Sequence, residues 1–175
     1  MTIRTLFVGA MLTASIACPQ VAPALDATQT RIAKEVRHEI LMLPYFGVFD
    51  NIAYKVEGST VTLLGQVTRP TLKDDAERTV KDIEGVEAVR NQIEVLPLSP
   101  NDDRLRIALY RAIYNYGPLQ RYATPVIKPI RIVVRSGNVT LEGVVASDGD
   151  KNLANVRAHS VSGVFAITNN LRIEQ

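Results

Sequence analysis

A chain of 175 residues that is 46% hydrophobic and 22% charged, with 9 prolines, has the composition of an ordered protein, which excludes the disordered and collagen-like classes. Its single cysteine, Cys18, excludes an intrachain disulfide. The formal charge of +2 says little about partners until it is divided along the chain.

In chain order, the first residues read as an export signal. Arg4 supplies a short basic region, Leu6 to Ala17 an apolar region and Ala22-Pro23-Ala24 a small-x-small cleavage site. The apolar run is too short to span a bilayer, and nothing later is long enough. Residues 1–24 are therefore expected to be removed, leaving a periplasmic or secreted chain that begins near Leu25. Cys18, directly after Ile16-Ala17, admits the alternative of a lipoprotein anchored through its thiol. Ser15, where such signals carry leucine, and the following Pro19 argue against it.

Arg31 to Leu43 places Ile32, Val36, Ile40 and Leu43 on one face, which predicts an amphipathic helix ended by Pro44 and Gly47. Asp50-Asn51 marks a turn before Ile52 to Val56, an alternating half-buried strand, and Glu57 to Thr60 reads as a hairpin connection. Val61, Leu63 and Val67 form a second strand, in which Gly65 marks either a bulge or the close approach of a neighbouring backbone. Pro70 opens a second helix with Leu72, Ala76, Val80 and Ile83 on one face and Asp74-Asp75 in its first turn, where the helix dipole favours carboxylates. Gly85 stops it, and Val86 to Val95 reads as a third strand.

Leu96 to Pro100 is a short, proline-stiffened connector, after which Asn101 or Asp102 is expected to cap the next helix. The plan then repeats. Leu105, Leu109, Ile113 and Tyr116 line a helix; Ile130, Ile132 and Val134 form a strand; Ser136-Gly137-Asn138 turns into the next; Ser147 caps a helix that Gly163 ends before the last strand. Val61-Thr62-Leu63-Leu64-Gly65-Gln66-Val67 recurs as Val139-Thr140-Leu141-Glu142-Gly143-Val144-Val145, a shift of 78 (139 less 61) at which Gly85-Val86 meets Gly163-Val164 and Asn91 meets Asn169. A gapless register of this kind marks a duplicated unit. The first helices align at a shift of 73 (105 less 32), so the second copy carries five extra residues (78 less 73) within Asn115 to Pro129. Each copy alone is near the size at which one core is marginal, and the two are expected to pack on each other.

The patterns Val61-x-Leu63-x-Gly65-x-Val67 with Gly85-Val86-x-x-Val89-x-Asn91, and Val139-x-Leu141-x-Gly143-x-Val145 with Gly163-Val164-x-x-Ile167-x-Asn169, make each copy resemble a BON domain, a module of bacterial osmotically inducible and nodulation proteins. The resemblance implies an α+β fold of two tandem αββαβ domains, each a small mixed three-stranded sheet covered by two helices. It divides the chain into domain 1 at 28–96, a linker at 97–101 and domain 2 at 102–175. It also implies residence in the cell envelope and phospholipid contact or stress tolerance without catalysis. In relatives with two such domains, the lipid-facing surface lies mainly around the first helix of the second.

No enzymatic constellation can be assembled. His38 and His159 stand in non-equivalent positions outside any metal-ligand spacing, and the chain offers neither a phosphate-binding glycine loop nor an activated nucleophile. No metal, cofactor or catalytic activity is expected.

Charge singles out the second copy: residues 30–96 carry 9 Lys+Arg and 11 Asp+Glu, a net −2, whereas 101–175 carry 10 and 6, a net +4. Arg104, Arg106, Arg111 and Arg121 stand in a stretch without a carboxylate between Asp103 and Glu142. A helical wheel that gives Leu105, Leu109 and Ile113 to the core leaves Ile107, Tyr110, Arg111 and Tyr114 on another side. Leu119, Arg121 and Tyr122 in the longer connection extend the same chemistry. Tyrosines beside arginines suit an anionic phospholipid surface. The alternative is that the stripe packs on the first copy or meets an envelope protein, as in an adaptor or chaperone-like module. Export argues against nucleic acid as the partner.

Overall fold

The computed structural model describes residues 27–174. The export signal, its cleavage site and Cys18 lie outside the described residues. In the first domain, helix α1 (Ala27–Met42) buries Ile32, Val36 and Ile40, strand β1 (Asn51–Glu57) runs antiparallel to β2 (Thr60–Val67), and helix α2 (Pro70–Lys81) returns the chain to β3 (Ala88–Val95), parallel to β2. The second domain repeats this with α3 (Pro100–Tyr114), β4 (Ile130–Arg135), β5 (Asn138–Val145), α4 (Asp148–His159) and β6 (Ala166–Ile173). Each sheet is mixed and three-stranded, in the order β1-β2-β3 and β4-β5-β6. The expected αββαβ plan therefore holds in both copies. The longer connection of the second copy contains a 3-10 segment, Gly117–Ala123, between α3 and β4.

The repeated residues do repeated work. Asn91 Nδ2 donates to the Lys73 carbonyl at 2.9 Å while its Oδ1 accepts from Ile93 N–H at 3.1 Å. Asn169 does the same to Lys151 and Leu171 at 3.0 and 3.2 Å. In each copy the asparagine ties the last strand to the helix before it. Gly65 stands opposite Ile52, and Gly143 opposite Ile130, in ladders that run without a bulge. A Cβ there would lie 2.1 Å from the Asn51 carbonyl oxygen and 1.9 Å from that of Pro129, and both glycines have φ above +110° (118° and 126°). Close backbone approach, and not a bulge, explains the motif glycine.

Three local expectations are corrected. Ser99 caps α3, its Oγ accepting from Asp102 N–H at 3.2 Å; the buried Asp102 carboxylate instead accepts from Ser136 and Gly137 N–H at 2.8 and 2.9 Å, bracing the β4–β5 turn. Asp74 and Asp75 lie past the first turn of α2, which begins at Pro70, and Asp75 pairs with Arg78 at 2.6 Å. The third strand begins at Ala88, after the turn that closes on Val86. Ser147 caps α4 as expected, accepting from Asp150 N–H at 3.2 Å.

The two domains do pack together, chiefly through a strap of the first domain, Phe46 to Asp50. Its Val48 carbonyl accepts from Ile132 N–H at 2.8 Å, adding backbone to the outer edge of β4. The Arg131 guanidinium donates to the Gly47 carbonyl at 2.6 Å and lies over the Phe46 ring at 4.4 Å. Val48 and Phe49 pack against the core of the second domain. Asp50 holds the strap in shape, accepting from Gly47 N–H at 2.9 Å, Thr68 N–H at 2.7 Å and Thr68 Oγ1 at 2.8 Å.

Gly143→Ala and Gly65→Ala are each expected to destabilise by about 3 kcal/mol or more, since the methyl group meets unyielding backbone at a positive φ. Gly58, with a positive φ but nothing within 4 Å, is the control, and Gly58→Ala should cost about 1 kcal/mol. Urea midpoints of the three variants measure the difference.

Candidate functional site

The proposed lipid-facing residues separate into two groups. Arg104, Ile107, Arg111 and Arg121 are exposed, Ile107 by 49%, and Tyr110 is half-buried. Arg106, Tyr114, Leu119 and Tyr122 are buried. The expectation that these four face a ligand is overturned, and each is buried for a specific reason.

Arg106 and Tyr114 close the outer edge of β4. Tyr114 is 1% exposed, and its hydroxyl donates to the Ile130 carbonyl at 2.5 Å. Burial pushes that hydroxyl above its usual pKa range, which keeps the proton in place for donation. Arg106 donates to the Val134 carbonyl at 2.7 Å and pairs with Asp103 at 2.5 Å. With Ile132 N–H taken by Val48, each of the outward-facing residues Ile130, Ile132 and Val134 has one backbone group engaged by another element. The wheel placed Tyr114 opposite the core because it counted only apolar neighbours, whereas the sheet edge and the strap widen the buried arc of α3. Tyr110 borders that arc, its ring edge-on to Phe49 of the first domain at a centroid distance of 6.4 Å.

Leu119 and Tyr122 turn inward with the 3-10 segment and join the second core. Tyr122 Oη donates to Asp150 at 2.9 Å and accepts from Ala146 N–H at 2.8 Å. Asp150 also receives Ser147 Oγ at 2.7 Å and the Arg121 guanidinium. Burial alone would push the Asp150 carboxyl up, but hydrogen bonds from Ser147 and Tyr122, with the Arg121 charge beside it, hold it below the usual carboxylate range. The side chain of Arg121 is 55% exposed, so solvent screens this pair.

Between the domains lies an open groove of roughly 830 Å³, walled by α1, β1, the loop before β4, and β5, and rimmed by Arg37, Lys128 and Arg172. The sequence signal for this side of the molecule was the apolar run Phe46-Gly47-Val48-Phe49, which fits neither helix nor strand periodicity. Among the described residues there is no group of three or more His, Cys, Asp or Glu arranged to hold a metal, and no helix is long and apolar enough to cross a membrane. His38 and His159 are exposed.

A carboxylate with a depressed folded pKa stabilises fully above its unfolded pKa and loses that contribution as pH falls through the folded value. Asp150→Asn should therefore lower the melting temperature near pH 7, and the gap from wild type should close as pH is lowered below about 4. A gap that persists to about pH 2 would mean that the carboxylate charge is not what the network uses.

Two structures of CdsD, a structural protein of the type III secretion system of Chlamydia trachomatis, are similar to this chain. One aligns with 11% identity and a TM-score of 0.32 over 83% of this chain and 94% of that chain. The other, its C-terminal domain, aligns with 12% identity and a TM-score of 0.30 over 84% and 99%. Likenesses this loose bear on neither fold detail nor function. No curated protein matches the chain. The family model for the BON domain matches residues 28–97 and again 120–175, the second match starting after α3, although α3 takes the place that α1 holds in the first copy. With two tandem matches covering most of its length and two αββαβ domains beneath them, this chain belongs to the BON domain family.

Proposed function

We propose that this BON-domain protein is a non-catalytic module of the cell envelope that contacts anionic phospholipid through the outward face of α3 and so supports envelope integrity under osmotic stress. The observation that carries this reading is Ile107, a half-exposed apolar side chain set between exposed Arg104 and Arg111 on the face of α3 turned away from the sheet. An exposed apolar residue flanked by guanidinium groups suits the headgroup region, where the apolar group sits below the phosphates that the arginines meet. Asp103 nearby is matched by Arg106, and Asp150 matches Arg121, so Arg104 and Arg111 are the cations left to attract an anionic surface. Residues 101–175, with a net charge of +4 (10 less 6), add long-range attraction. The chain's tyrosines take less part than expected, because Tyr114 and Tyr122 are spent inside the domain.

Co-sedimentation with phosphatidylglycerol-rich and pure phosphatidylcholine vesicles at low and high salt tests this. The wild type should bind the anionic vesicles only, and lose them in high salt. At about 1 kcal/mol per basic residue near the surface, Arg104→Glu with Arg111→Glu should weaken binding at least tenfold, Ile107→Ser should weaken it less, and Lys34→Glu on α1 should leave it unchanged. Undiminished binding by the folded double variant would remove α3 from the reading.

A further inference from the structure

We propose that the groove between the domains docks an extended acidic segment of a partner protein, which adds as a strand to the free outer edge of β1 while its carboxylates meet Arg37 and Arg172.

The groove is the unfilled counterpart of the site that the strap occupies. At the strand shift of 78, Ile132 corresponds to Tyr54 (132 less 78) and Phe49 to Ile127 (127 less 49), and at the helix shift of 73, Tyr110 corresponds to Arg37 and Tyr114 to Leu41 (110 and 114 less 73). In the filled site the strap makes a turn from Gly47 to Asp50 whose Val48 carbonyl accepts from Ile132 N–H, with the Phe49 ring edge-on to Tyr110 and Tyr110 in turn against Tyr114. All four counterparts, Tyr54, Ile127, Arg37 and Leu41, line the groove. One half of a duplicated arrangement thus holds backbone of the strap against the strand edge and the other stands open.

The edge beside the open half lacks its caps. Tyr54 pairs with Leu63 in the register in which Ile132 pairs with Leu141, so Ile52, Tyr54 and Val56 turn their backbone groups away from β2, as Ile130, Ile132 and Val134 do from β5. On β4 one such group of each residue is taken, by Tyr114, Val48 and Arg106 in turn. On β1 the positions of Tyr114 and Arg106 fall to Leu41 and Ala33 (106 less 73), which have no side-chain donor. Among the described residues no element other than β2 pairs with β1. An open edge of this kind is a template for strand addition.

Charge then selects the occupant. Of the cations around the groove, Arg131 is committed to Gly47 and Phe46, and Lys128 to the Ala123 and Pro125 carbonyls. Arg37 and Arg172, one from each domain, are exposed and have no ion pair among the described residues, and the one carboxylate of the lining, Glu142, already receives Asn170. Two guanidinium forks set across an apolar floor match a segment that alternates acidic and apolar side chains.

Fluorescence anisotropy with a labelled ten-residue peptide alternating Glu and Val tests the proposal, beside the same peptide N-methylated at alternate residues, which keeps the charge and removes edge donors. The plain peptide should bind, the N-methylated one at least tenfold more weakly, and Arg37→Glu with Arg172→Glu should weaken the plain peptide roughly tenfold or more. Amide shifts should concentrate at residues 51–54 and 142–144, and Arg104→Glu with Arg111→Glu should leave peptide affinity unchanged. Equal affinity for the two peptides, absence of binding, or shifts confined to α3 would overturn it. So would dimerisation in place of peptide binding, or displacement of the peptide by anionic vesicles, since the edge would then serve a second copy or a membrane. Vesicle binding through α3 can fail without affecting any of these outcomes.

Discussion

The outer edge of the first strand in each sheet is the constraint on which this structure depends. A three-stranded sheet has two edges, and the backbone groups along them must reach water, a side chain or another strand. On β4 three outward groups meet three different donors or acceptors: the Tyr114 hydroxyl, the Val48 carbonyl and the Arg106 guanidinium. Because Val48 belongs to the other domain, closing this edge also joins the domains and brings Val48 and Phe49 into the second core. The cost falls on side chains that would otherwise be free for function. Two of the arginine and tyrosine residues that look suited to a membrane are spent as structural donors.

Duplication makes these substitutions readable, since each position in one copy has a counterpart in the other. The backbone N–H at the end of the second strand shows it well. In the first copy Thr68 N–H is taken by Asp50, whereas its counterpart Ala146 N–H (146 less 68 is 78) goes to the Tyr122 hydroxyl. The 3-10 segment supplies Tyr122, so the longer connection answers a local hydrogen-bonding need and adds Leu119 to the core. The strap diverges in the same manner. Phe46 to Phe49 is docked, whereas in its counterpart, Thr124 to Ile127, Val126 is 97% exposed.

The sequence made the element order, the duplication, the helix-lining core residues and the Ser147 cap legible, because apolar periodicity and gapless recurrence report directly on burial. It did not make the buried arc of α3 legible. A wheel counts apolar faces, and Arg106 and Tyr114 are buried for their hydrogen bonds with a strand edge 28 and 16 residues away in sequence. Asp102 misled for a related reason: its position beside a helix start suggested a cap, while its carboxylate serves the turn at Ser136 and Gly137. The strap was hidden because Phe46 to Phe49 has no period of its own; what it covers is set by the other domain. Of the candidate site, the exposed basic face of α3 survives from the sequence, and the groove emerged only when the two domains were seen together.

The central claim is that β4 has a closed outer edge and β1 an open one. Amide hydrogen exchange compares them at equivalent positions in the same molecule, Ile132 N–H and Tyr54 N–H. If the edges differ as described, Ile132 exchanges slowly, held by Val48 at 2.8 Å, and Tyr54 exchanges orders of magnitude faster. Equal protection at the two positions, or rapid exchange at Ile132, would contradict the account.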